Sequence, residues 1–298
     1  MTYTIKKKDN TIINFQNKRC DLHSHSTFSD GSMSPTELVK LAEERGIHAL
    51  ALTDHNTSKG LPEFMEAGRQ SNVITVPGCE FTTEWNKIEI HIVGLFFRRE
   101  YWNEVEDFME FTNIAKHNSN TKLIENLNKA GYEVSAEEAS ALTKGEFNRA
   151  HVARVLMAKG YVESVNEAFD TLLKPGNGFY IPARKITSTA AIHFIKTFGA
   201  TAIMAHGLKD LTPEQMRDFL PLAKKAGLDA IETRYSDFDE EMTATAISLA
   251  EEFGLKQSGG SDFHGQSKPH ISLGTGRGSL FVPYEFYENM RACADYGI

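Results

Sequence analysis

Residues 34–55 read SPTELVKLAEERGIHALALTDH and hold one complete helix-to-strand unit. Ser34 supplies a cap, Pro35 takes the first helical position and Glu37 completes a capping box, so a helix begins here. Gly46 ends it, and the apolar run IHALALTDH reads as a buried strand that finishes on an aspartate and a histidine. Outward from this unit, VITVPGCEF and KIEIHIVGLFF read as further strands. Late in the chain TFGATAIMAHG, AGLDAIETRY and LKQSGGSDFHG follow the same pattern, each after a helical stretch. Such alternation is the mark of an α/β fold.

Between about Tyr101 and Phe179 the character changes. NTKLIENLNKAG, NRAHVARVLMAKG and SVNEAFDTLL have helical periodicity and glycine stops, with no convincing strand. The expected organisation is an α/β barrel formed by residues 18–100 and 180–298, interrupted by a helical insertion over 101–179.

The 298 residues are 41% hydrophobic, ample for a buried core, and carry a net charge of −8. That balance argues against sequence-independent binding to duplex nucleic acid, which needs a basic face. It leaves room for a small anionic substrate, because bound cations can reverse the potential inside one pocket. Cys20, Cys79 and Cys293 are far apart and odd in number, which supports neither a disulfide framework nor a Cys-x-x-Cys zinc site. No apolar run reaches bilayer-spanning length, and the opening MTYTIKKKDNTIINFQNK lacks an apolar segment with a cleavage site. A cytoplasmic protein without membrane contact is expected; the oligomeric state is not fixed by the sequence.

Residues 20–31, CDLHSHSTFSDG, hold the first chemical signal. Side chains alternate along a strand, so His23 and His25 share a face and Ser24 takes the other. Further candidates stand at or near the ends of the other strands: Asp30, Asp54, His55, Glu80, His91, His206, Glu232, Asp262 and His264. In α/β barrels the loops at the C-terminal ends of the strands converge on one mouth. Packing alone would not gather so many imidazoles and carboxylates there unless something positive offset their desolvation and repulsion. Imidazole and carboxylate without thiolate suit zinc, manganese or iron. One ion rarely takes more than four side chains. His23, His25, Asp30, His55, Glu80, His91, His206, Asp262 and His264 therefore imply two or three divalent ions, with Glu80 able to bridge a pair. Paired ions can stabilise both oxygens of an in-line displacement, which favours phosphoester hydrolysis.

The ordered segments DLHSHSTFSDG, LTDHN, PGCEFTT, IHIVGL, MAHG and SGGSDFHG resemble the motifs of the PHP (polymerase and histidinol phosphatase) superfamily, over about Arg19 to Gly278. NRAHVARVLMAKGYVESVNEAFDTLL is most similar to the stand-alone branch that acts on nucleoside 3′,5′-bisphosphates and short 5′-phosphorylated RNA. The resemblance implies a distorted seven-stranded β/α, TIM-like barrel with a helical insertion, in agreement with the independent reading. It implies one metal on His23, His25, Glu80 and Asp262, a second on Glu80, His91 and His206, and a third on Asp30, His55 and His264. Two departures stand out: some members carry histidine where this chain has Asp30, and proline commonly follows the histidine matching His206, where this chain has Gly207. Asp21 and Asp54 are expected either to orient imidazoles or to bond nearby backbone amides.

A guanidinium fork matches phosphate oxygens and keeps its charge, so Arg149 and Arg184 are the leading substrate-binding candidates, followed by His151, Lys185 and Arg234. His206, Asp262 and His264 are expected to take part in catalysis as well as metal binding. The expected reaction is attack of a metal-bridging hydroxide on a terminal phosphate, releasing the 3′-phosphate of a nucleoside 3′,5′-bisphosphate. Competing readings are a broader phosphomonoesterase acting on sugar or amino-alcohol phosphates, and a 5′-3′ oligoribonuclease. More distant are an amidohydrolase, for which no strand-borne bridging lysine is present, and a non-catalytic metal-stabilised binding domain, for which no ligand position is lost.

Overall fold

The computed structural model describes residues 18–143, 147–183 and 185–295. The opening stretch of residues 1–17 and Arg184 lie outside the described residues.

The chain begins with β1 (Cys20–Asp21), α1 (Pro35–Glu44), β2 (Ala49–Leu52) and α2 (Leu61–Arg69). α1 starts as its sequence dictates: the Ser34 hydroxyl accepts the Glu37 amide, and a Glu37 carboxylate oxygen accepts the Ser34 amide at 2.7 Å. β3 (Ile74–Trp85) and β4 (Ile88–Leu95) then form an antiparallel hairpin. The two consecutive strands read in the sequence thus pair directly with each other. Asn86 and Lys87 both take positive φ, +50° and +65°, the geometry of a two-residue hairpin turn whose twist matches the flanking strands. β3 therefore runs on to Trp85, past the point where its apolar run stops.

The helical segment follows as α3 (Trp102–Lys129), α4 (Ala136–Ser140), α5 (Arg149–Ala158) and α6 (Val165–Ala168). α3 serves two cores. Val105 and Met109 pack on the barrel's outer layer, whereas Leu123, Ile124 and Leu127 pack with Val152, Leu156 and Leu173 in a separate cluster. The chain then returns through β5 (Ile186–Thr187), α7 (Ser188–Thr197), β6 (Thr201–Met204), α8 (Gly207–Asp210), α9 (Pro213–Ala226), β7 (Ala230–Tyr235), α10 (Glu240–Phe253), β8 (Lys256–Gly260) and α11 (Tyr284–Cys293).

Among the described residues the barrel order is β1-β2-β3-β4-β6-β7-β8, with β4 antiparallel to both neighbours and β5 pairing β3 beside this path. The last strand meets the first. The Leu22 amide donates to the Gly259 carbonyl at 3.2 Å, the Asp262 amide to His23 at 2.9 Å and the His25 amide to Phe263 at 2.9 Å. This seam needs a residue without a side chain, because a Cβ on Gly260 would lie 2.4 Å from His23 Cβ and 2.5 Å from its nitrogen.

The strands divide their faces cleanly. Leu50 and Leu52 of β2 pack outward on α1 and α2, while the small Ala49 and Ala51 face an interior shared with Val76, Val93 and Ile203. α11 plugs one end of that interior with Phe286, Tyr287 and Met290. The other end, where the parallel strands finish, holds polar residues.

Candidate metal centre

At that end His23, His25, His55, His91 and His206 surround one carboxylate, Glu80, which β3 carries at full burial. Glu80 Oε2 lies 3.2 Å from His23 Nε2, 3.2 Å from His25 Nε2 and 3.1 Å from His55 Nδ1. Its Oε1 lies 2.8 Å from His91 Nδ1 and 3.3 Å from His206 Nε2. His264 Nε2 stands 3.1 Å from Asp30 Oδ1, and its ring stacks on His25 with centroids 4.0 Å apart. Asp262 Oδ1 is 3.2 Å from His25 Nε2 and 3.7 Å from His23 Nε2.

These spacings are a test of fit to a cation. Donor atoms about 2.0–2.2 Å from one ion and roughly 100° apart lie about 3.2 Å from each other. His23 Nε2, His25 Nε2, His55 Nδ1 and Glu80 Oε2 have such separations and make no hydrogen bond, although all are buried. Orphaned buried polar atoms normally carry a heavy penalty, and a shared cation removes it here. Among the described residues, the groups able to hold an ion are His25, Asp30, His55 and His264; His23, His25 and Glu80; and His55, Glu80 and His91.

The protein also fixes which nitrogens are presented. His23 Nδ1–H donates to Glu232 Oε1 at 2.9 Å, His206 Nδ1–H to Asp210 Oδ2 at 3.2 Å and His264 Nδ1–H to the Asp262 carbonyl at 2.9 Å. In each ring Nε2 is left to face the cluster. Asp21 and Asp54 do something else: Asp21 accepts the Ser261 and Gly274 amides, and Asp54 accepts the Ser26 amide and the Ser29 hydroxyl. Both bond backbone amides and hydroxyls rather than imidazoles, and Asp21 finds its amides 240 and 253 residues away in sequence. His206 and Asp262 sit at φ +31° and +54°, a left-handed conformation that costs a non-glycine residue about 1–3 kcal/mol and gathers at functional sites.

Without cations the cluster is held by protons. Burial opposes ionisation of Glu80, but His23, His55 and His91 hold its carboxyl well below the usual range. Burial would lower His25 too, yet the facing carboxylates of Asp262 and Glu80 carry it up to about 9. His91, against the same desolvation, is carried up to about 10 by Glu80 and Glu89. Burial wins at His55, which is pushed well down.

A cavity of about 130 Å³ opens beside this cluster. Asp30, His55 and His91 line it, Lys116, Arg149 and Lys185 bring positive charge beside the acidic Glu89, and Phe169 and Tyr180 contribute ring surfaces. The Arg149 guanidinium lies over both rings, 4.3 Å from Tyr180 and 5.4 Å from Phe169, and donates to the Leu173 carbonyl at 3.3 Å. Lys185 pairs with Glu89.

His151 has a different task from the one its motif suggests. It is fully buried, its Nδ1 accepts the Asn148 amide at 3.0 Å within the α5 cap, and the cavity is lined by its neighbours Asn148, Arg149 and Ala150 instead. A helix N-terminus with Asn at the cap and a side-chain acceptor three residues on explains this inward turn.

Residues 21–182 match the family model of the PHP domain. The chain belongs to the PHP family. It is 34% identical over 248 residues to the 5′-3′ exoribonuclease of Haemophilus influenzae, an alignment covering 83% of this chain and 90% of the relative. It is 28% identical over 255 residues to the 3′,5′-nucleoside bisphosphate phosphatase of Chromobacterium violaceum, covering 82% and 86%. Its fold matches that of a Bifidobacterium adolescentis protein assigned as a metal-dependent phosphoesterase, with a TM-score of 0.84, 23% identity and 95% and 98% coverage. The protein is a PHP-type metal-dependent phosphoesterase, and among its described residues no helix is long and apolar enough to cross a membrane.

Several residues of this PHP site escape motif reading. Lys116 comes from the middle of α3, fifteen residues before Gly131, and burial lowers its ammonium against the pull of Asp30 and Glu89. Tyr235 and Lys268 both reach Asp262 Oδ2, at 2.8 and 2.7 Å, leaving Oδ1 for the imidazoles. Only the closed barrel brings these loops together.

Proposed function

We propose that this protein removes the 3′-phosphate from a nucleoside 3′,5′-bisphosphate, using two or three divalent ions held by His23, His25, Asp30, His55, Glu80, His91, His206, Asp262 and His264. Manganese, iron and zinc all suit such donors. The observation that carries this reading is one cavity whose wall includes Asp30, His55 and His91 of the donor cluster together with the cations Lys116, Arg149 and Lys185. One phosphate would meet the ions while a second met the cations.

When bound, the ions supply positive charge for the phosphoryl oxygens and make water acidic enough to act as a nucleophile. The chain does the rest. Glu80 offers one oxygen to each of two groups of imidazoles, which suits a bridge. Glu232 and Asp210 keep His23 and His206 in the tautomer that leaves Nε2 a lone pair. Arg149, held over the Phe169 and Tyr180 rings and bonded to the Leu173 carbonyl, has little freedom left to lose when it meets a phosphate. Water adds to phosphorus, the bond from phosphorus to the 3′ oxygen breaks, and a proton goes to the departing oxygen. Residues 101–179 serve as the wall of the cavity, and free buried thiols at Cys20 and Cys79 accord with a cytoplasmic setting.

A second reading, removal of nucleotides from the 5′ end of short RNA, is favoured by the name of the Haemophilus influenzae relative. Product analysis separates the two. The manganese-loaded protein should release phosphate from adenosine 3′,5′-bisphosphate and leave adenosine 5′-monophosphate intact. Faster conversion of a 5′-phosphorylated trinucleotide to mononucleotides, with little free phosphate, would replace the first reading by the second.

A further inference from the structure

The loop of residues 26–31 joins His25 to Asp30 and is held from two directions. On the barrel side, Asp54 accepts the Ser26 amide at 2.7 Å and the Ser29 hydroxyl at 2.7 Å, and the Ser267 hydroxyl donates to the Asp30 carbonyl at 2.7 Å. On the other side, the helical segment supplies three ties. The Thr143 hydroxyl lies 3.0 and 2.9 Å from the carbonyls of Thr27 and Ser29. Asn148 Nδ2 donates to Asp30 Oδ2 at 3.3 Å, and Arg154 Nη2 donates to the Asp30 carbonyl at 2.7 Å.

The orientation of Asn148 follows from its role as the α5 cap. Its Oδ1 accepts the amides of Ala150 at 2.8 Å and His151 at 3.3 Å, which only an oxygen can do, so Nδ2 is the atom turned to Asp30. His151 locks the arrangement by accepting the Asn148 amide. The donor to Asp30 Oδ2 is thus set by the geometry of a helix start, and Asp30 Oδ1 stays toward His264.

We propose that Asn148 and Arg154 are positioning residues for Asp30, and that the helical segment thereby sets how tightly His25, Asp30, His55 and His264 hold a divalent cation. The inference rests on the reading of those four residues as one cation position. Partners that orient a ligand carboxylate typically change metal affinity by about 10–100-fold when removed. Of the proposed cation positions, this one owes a ligand's placement to hydrogen bonds from residues 101–179.

Equilibrium dialysis of the full chain against buffered free Mn²⁺, with bound metal counted by mass spectrometry, tests it. Asn148→Ser keeps an oxygen to cap α5 and removes the donor to Asp30. Arg154→Met removes the second tie, Arg154→Lys restores a donor, and Asp30→Ala marks the ion concerned. Asn148→Ser and Arg154→Met should each weaken one Mn²⁺ by about tenfold or more, the same one that Asp30→Ala loses, with the other binding steps unmoved and partial recovery in Arg154→Lys. Wild-type binding in Asn148→Ser and Arg154→Met, with one ion lost in Asp30→Ala, would overturn the positioning role and leave the cation position standing. Full binding in Asp30→Ala would overturn the cation position itself. Far-ultraviolet circular dichroism checks the fold of each variant, and Asn148→Ser decides alone if Arg154→Met does not fold.

Discussion

Glu232 Oε1 accepts the Nδ1–H of His23 at 2.9 Å, and both groups are buried where the strands finish. The other carboxylate oxygen accepts the His206 amide at 2.7 Å, so one side chain of β7 orients two of the proposed ligands. Glu232→Gln keeps the shape and removes the charge. It should weaken binding of the ion at His23 by about 10–100-fold, shifting the Mn²⁺ midpoint of activity while saturating metal restores most turnover. A midpoint equal to wild type would show that Glu232 does not tune His23.

Lys116 and Arg149 are expected to read the second phosphate. A hydrogen bond to a charged group is worth about 1.5–3 kcal/mol, so Lys116→Met and Arg149→Met should each raise KM for the bisphosphate by about 10–100-fold. Steady-state kinetics at saturating metal check this. An equal rise for a non-nucleotide phosphomonoester would point to a general loss of pocket structure instead.

Protons and metals compete for the cluster. In the chelated protein His25 titrates at about 9 and His91 at about 10, against 6.5 in the unfolded chain. A raised pKa means that folding favours the protonated ring, so this contribution is complete below about pH 6.5 and is lost as pH climbs through 9 and 10. Denaturant melts of the chelated protein should therefore show lower stability at about pH 9.5 than at about pH 7. Metal binding needs neutral imidazoles, so loading should release protons and tighten as pH rises. Calorimetric heats that do not vary with buffer ionisation enthalpy would contradict the proton release.

The seam between β8 and β1 predicts an unusually costly small substitution. Ala at Gly260 would press a methyl group against the His23 backbone, 2.5 Å away. Gly260→Ala should cost about 3 kcal/mol or more in urea unfolding of the chelated protein and displace His23 from the metals. A cost below about 1 kcal/mol would mean that the seam is more compliant than its geometry indicates.

Much of this architecture is local and therefore legible in the sequence. The Ser34-Pro35-Thr36-Glu37 cap forms as read, because its partners lie within one turn. The hairpin of β3 and β4 is hidden because Asn86-Lys87 lacks the glycine that usually announces such a turn. In the site, histidines and carboxylates at strand ends mark their own place, since strands alternate and finish at a common rim. The partners that orient them do not. Glu232 is itself marked as a strand-end carboxylate, but its partner His23 lies 209 residues away, and Asp210, four residues after His206, belongs to no motif. Asp54, directly beside His55, turns to Ser26, and Asp21, two residues before His23, turns to Ser261. Proximity in sequence is a poor guide to partners that only the closed barrel brings within reach.

The central claim is that the strand-end cluster holds cations that hydrolyse a phosphoester. Its most direct test is phosphate release from adenosine 3′,5′-bisphosphate by wild-type protein and Asp262→Ala, each chelated and then restored with Mn²⁺. Turnover should be absent in the chelated wild type, return on adding Mn²⁺, and stay absent in Asp262→Ala although that variant remains folded. Undiminished turnover by the chelated protein, or by Asp262→Ala, would contradict that claim.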